Sequence, residues 1–78
     1  MNMTFDEYDK LIEKLKKVEG STYWPEISEI DLMTQNPEKY IVFACYLLEH
    51  NNQPKNNAEK YSKRNLLDFV NQNLELTE

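Results

Sequence analysis

Glycine is nearly absent from these 78 residues, with Gly20 alone, and proline occurs three times. So few turn formers exclude a many-stranded β fold, while 40% hydrophobic and 12% aromatic residues exclude a disordered chain. The expectation is one all-α domain spanning residues 1–78. A chain this short buries only about 60% of the surface its unfolded form exposes, which leaves little room for a deep active site. The single cysteine, Cys45, cannot form an intramolecular disulfide. With one histidine, His50, it cannot supply the four N or S ligands of a usual structural zinc site. Cys45 lies in the most apolar segment, where a thiol acts as a small hydrophobe, and His50 falls where the positive end of a side chain suits a helix C-terminus. No nucleophile is therefore paired with a base, and one glycine cannot build a phosphate-cradling loop. These absences predict no enzyme, no metal and no cofactor. No run approaches the ~20 apolar residues that cross a bilayer, which argues against a membrane protein. The segment Met1–Glu7 lacks the basic-then-apolar pattern of a signal peptide, so a cytoplasmic protein is expected.

What is present is helical grammar. Thr4 and Glu7 have capping-box spacing, with Met3 and Tyr8 at the staple positions. Phe5, Tyr8, Leu11, Ile12, Leu15 and Val18 recur every three or four residues and define a core-facing stripe. Gly20 can take a left-handed conformation, which predicts a first helix from Phe5 to about Glu19. Pro25 suits a first helical position, and Ile27, Ile30 and Met33 predict a short second helix. Asn36-Pro37-Glu38 repeats the start pattern for a third helix to about His50. Tyr40–Leu48 carries no charge and could also form a buried strand, but its length and its Asn-Pro start favour a central helix buried on all sides. After a polar loop, Asn51–Asn57, a fourth helix from about Ala58 buries Leu66, Leu67, Phe69, Val70 and Leu74, and Leu76–Glu78 fray. The fold expected is a small bundle of three long helices and one short one.

The charge is placed unevenly. Asp6, Asp9 and Glu13 alternate with Lys10, Lys14 and Lys16 as on an ordinary solvated helix face. Between residues 19 and 49, however, Glu19, Glu26, Glu29, Asp31, Glu38 and Glu49 face one base, Lys39, which accounts for the whole net charge of −5. Tyr23 and Trp24 lie in the same stretch. Carboxylates either keep a small domain soluble or steer a basic partner, and tyrosine adds contact area at low entropic cost. Trp24 is read as a core plug. The candidate partner-binding patch is therefore Glu19, Tyr23, Glu26, Glu29, Asp31 and Glu38. A second patch, Lys55, Lys60, Tyr61, Lys63 and Arg64, opens the fourth helix, where Tyr61 points away from the buried stripe, so that either it is exposed or the helix breaks near Ser62.

Two classes of function fit this pattern. In the first, the chain is an acidic inhibitor that places carboxylates where a nucleic-acid-handling enzyme or complex binds phosphates. Its seventeen Asn and Lys residues, against four Ala, Gly and Arg, suggest an AT-rich coding sequence such as that of a phage or mobile element. In the second, the third and fourth helices form a helix-turn-helix whose Lys60, Lys63 and Arg64 hold phosphates. The acidic balance and the long glycine-free loop count against direct nucleic-acid binding. Acidic and basic patches on different copies could also meet in a homodimer or larger homo-oligomer.

Overall fold

The computed structural model describes residues 3–77. The capping box forms as the sequence predicts. The Glu7 amide donates to Thr4 Oγ1 at 3.2 Å, and the Thr4 amide donates back to Glu7 Oε1 at 3.3 Å. The helix it starts, α1, spans Phe5–Leu15. It ends four residues sooner than expected. The amides of Lys17 and Val18 bond to carbonyls three residues back, at Lys14 and Leu15, which tightens the last turn, and Val18 is left exposed rather than buried.

Gly20 does adopt a positive φ of 69°, but it turns the chain into an extended strap instead of capping the helix. Residues downstream of the third helix hold that strap. The Asn52 amide N–H donates to Ser21 O at 2.9 Å, the Asn52 side chain donates to Gly20 O at 2.6 Å, and the Asn51 side chain donates to Tyr23 O. This long-range pinning draws the chain away from the path of α1, so the helix ends at Leu15 although the periodic stripe runs on to Val18. Pro25 is buried just outside the next helix, and Glu26, not Asp or Ser, stands at its N-cap.

The second helix, α2, spans Ile27–Gln35, and the third, α3, spans Pro37–His50. One residue, Asn36, forms the corner between them. Pro37 disfavours helical geometry at Asn36 and is itself preset for a first helical position, so the chain changes direction within a single step. Tyr40–Leu48 is thus helix. The fourth helix, α4, spans Asn57–Gln72 and is capped by Asn56, whose Oδ1 accepts the Glu59 amide at 2.8 Å. All described elements are helical, with no strand. At 11 residues α1 is nearer in length to α2, at 9, than to α3 or α4, so "three long and one short" becomes two longer and two shorter helices.

Tyr8, Ile12, Met33, Tyr40, Phe43, Leu47, Leu66 and Phe69 meet in the core, with Trp24 from the strap buried among them. The helices α2, α3 and α4 pack closely on one another. Farther out, α1 reaches the core through Tyr8, whose ring meets Tyr40 edge-on at 5.4 Å and Phe43 at 6.2 Å. Several expected core residues are exposed instead: Phe5, Ile27, Leu67 and Leu74 stand at the surface, and Val42 in the middle of α3 is 68% exposed. A uniformly apolar helix gives no period from which its outward face can be read. Past α4, Leu74–Thr77 forms a 3-10 turn packed on α3, with Leu76 against the core, in place of the expected fraying. The fraying predicted for Glu78 lies outside the described residues.

Candidate functional site

The second helix forms a ridge between two hollows. On one side, Met3, Glu26, Ser28, Glu29, Asp31, Leu32 and Gln35 line a hollow of about 480 Å³. On the other, Ile27, Ile30, Asp31 and Thr34 face Asn65, Asp68, Phe69 and Gln72 of α4 across about 230 Å³. Asp31 borders both. Ile27, one turn before Asp31 and next to Glu26 in the chain, is 48% exposed and lines the second hollow with Asp31 and Asp68. None of these three carboxylates is ion-paired among the described residues.

The acidic patch read from the sequence divides in the fold. Glu26 and Asp31 are on the ridge and exposed. Glu29 is half-buried, and both of its oxygens are engaged: Oε1 accepts the Glu26 amide at 2.9 Å and Oε2 accepts the Tyr23 hydroxyl at 2.6 Å. Tyr23 points inward, its oxygen 3.2 Å from that of Tyr8, which in turn donates to Met33 Sδ at 3.4 Å. Burial raises both tyrosine hydroxyls above their ordinary range, so each stays protonated and able to donate. Tyr23 and Glu29 therefore join α1, the strap and α2 from within. Glu19 is elsewhere, in a hollow with Lys16, Lys17, Tyr46, Glu49 and His50, and Glu38 opens α3.

Lys39, the one base of the central stretch, is not available to offset the ridge. Its Nζ lies 2.7 Å from Asp9 Oδ2 of α1, while the Tyr40 hydroxyl donates to the other Asp9 oxygen at 3.1 Å. The Lys39 hydrogen bond holds the Asp9 carboxyl below its usual value, and Asp9 raises the Lys39 ammonium. Asp68 escaped the sequence reading because it belongs to a segment whose charges balance. Its only signal was its place next to Phe69 on α4.

On the basic side, Lys60, Lys63 and Arg64 do come together, around a hollow of about 280 Å³ with Gln53, Pro54 and Leu67. Lys63 is partly engaged inside the molecule, with Nζ 3.3 Å from Gln53 Oε1 and 5.7 Å from the centre of the Trp24 ring. Lys55 and Tyr61 are exposed but do not line this hollow. The fourth helix runs unbroken past Tyr61. Trp24 is a core residue, 7% exposed. Cys45 is half-buried on α3, and the His50 ring lies on Tyr46 at 4.5 Å. No described helix is long and apolar enough to cross a membrane. Comparison with protein-family models, curated proteins and solved structures gives no match, so the functional reading rests on the site itself.

Proposed function

We propose that this chain is a non-enzymatic binding module whose α2 ridge docks on the basic surface of a protein that handles nucleic acid, as an inhibitor of the kind phages and mobile elements encode. The observation that carries this reading is the ridge itself. Three carboxylates that no described cation pairs, Glu26, Asp31 and Asp68, border the two hollows beside the exposed Ile27, while Lys39, the base nearest to Asp31 in sequence, is committed to Asp9. Carboxylates in this setting steer Lys and Arg groups toward the ridge, and the isoleucine supplies an apolar contact that charge alone lacks. The alternative, nucleic-acid binding through α4, is supported by the meeting of Lys60, Lys63 and Arg64. It is weakened by the six-residue connection 51–56 and by the engagement of Lys63 with Gln53 and Trp24.

Co-purification from a candidate host at low and then high salt identifies the partner. The triple variant Glu26→Lys, Asp31→Lys, Asp68→Lys should then lose it, whereas Lys60→Gln with Arg64→Gln should retain it. Surface changes of this kind shift stability by less than about 0.5 kcal/mol each, so melting curves separate lost binding from lost folding. Retention by the acid-reversed variant, with loss by the other, would exchange the two readings.

A further inference from the structure

The outward face of α3 carries a pattern that the ridge does not explain. Glu38, Val42, Cys45 and Glu49 fall within about 60° of one another at 100° per residue, so they form one stripe with acids at its ends and apolar groups between. Glu38, Val42 and Glu49 are exposed, and Cys45 is half-buried. Beside the stripe, Leu76 and Thr77 of the 3-10 turn close a hollow of about 300 Å³ with Ile41, Val42 and Cys45. Leu74, in the same turn, is also exposed, and Glu75 next to it adds a third carboxylate.

We propose that this face receives an amphipathic helix of a partner protein, with an apolar centre over Val42, Cys45 and Leu76 and with Lys or Arg at its ends. The geometry sets the spacing of those ends. Glu38 and Glu49 are eleven positions apart, about 16 Å along the axis, so the partner's cations are separated by about three helical turns. Charge decides the occupant. A second copy packing α3 against α3 about a two-fold axis would set Glu38 against Glu38 or Glu49, and no base of α3 lies in the stripe to relieve it, because Lys39 is turned to Asp9. Glu49 has His50 Nε2 at 3.9 Å and shares a hollow with Lys16 and Lys17, so Glu38 is the stronger of the two anchors. The surface is on a different helix from the ridge and stands whether or not the ridge binds.

The test titrates the full isotope-labelled chain with a synthetic helical peptide that has leucines on one face and lysines eleven positions apart, and with the same peptide carrying glutamates in place of lysines. The lysine peptide should bind saturably and shift the resonances of Val42, Cys45 and Leu76. Alkylation of Cys45, the chain's one thiol, should slow as the peptide saturates. Val42→Lys, at a position already open to solvent, should weaken binding by about tenfold without changing the helical signal, and Glu38→Lys should transfer preference to the glutamate peptide. Equal binding of both peptides, shifts centred on Ile27 and Asp31, no binding up to about 1 mM, or a dimer abolished by Val42→Lys would each overturn the proposal.

Discussion

Tyr23 illustrates how a side chain suited to binding can be used internally. Its position among acids suggests an exposed contact, but its hydroxyl donates to Glu29 and lies against that of Tyr8. Replacing it with phenylalanine removes a donor to a carboxylate and leaves Glu29 with fewer partners. Tyr23→Phe should therefore cost about 1–2 kcal/mol in urea unfolding, and a change near zero would show that water replaces the bond freely. The same pair gives the pH response its sign. Both hydroxyls are raised in the folded state, so their contribution is fully present below the unfolded tyrosine value of about 10 and is lost as pH rises beyond it. Stability should fall on the alkaline side, more gently in Tyr23→Phe, as measured by denaturant melts across that range. Nothing in the spacing of Tyr8, Tyr23 and Glu29 along the chain announces this network, because its members come from three separate segments.

Two helix starts were legible because their determinants are local, whereas Pro25, read as a first helical position, lies two residues ahead of α2. Thr4-Glu7 and Asn36-Pro37 act within a single turn, and both begin helices where the chain says they should. Helix ends and outward faces were less so. The periodic stripe of α1 extends to Val18, but the bonds that bend the chain away come from Asn51 and Asn52, some thirty residues later. Gly20 is the joint of this arrangement. A methyl group there would meet Asn52 Oδ1 at 3.4 Å, and φ of 69° disfavours any side chain. Gly20→Ala should therefore destabilise by about 1–2 kcal/mol, the cost of a left-handed residue with a Cβ, and thermal melts check it. An unchanged melting point would mean that the strap re-forms without a left-handed turn. Val42 and Leu76 were misread for a related reason. Whether an apolar helix is covered depends on what packs against it, and the 3-10 turn covers only one edge of α3.

The molecule as a whole is nearly isotropic, 28 × 25 × 24 Å, with a radius of gyration of 11.7 Å. That is close to the roughly 11.5 Å expected for a well-packed chain of this length. With one core shared by every helix, unfolding should follow a single transition, and Phe43→Ala should cost about 3–5 kcal/mol because the ring is almost wholly enclosed. Separate transitions by circular dichroism and by near-ultraviolet absorbance would contradict a shared core. At this scale the acidic excess was legible, since it is a property of composition along the chain. Its division was not, because Glu29 turning inward depends on how the strap and α1 meet α2, and Asp68 joining Asp31 depends on how α2 meets α4. The burial of Trp24 beneath Lys63 has an optical consequence. The chain has one indole, and it lies where the strap meets α4, so its emission colour and its accessibility to a dissolved quencher report the seating of that helix without any label. A partner that draws Lys63 away should change that emission, whereas one confined to the outward face of α3 should leave it untouched, and a fluorimeter alone can tell the two encounters apart.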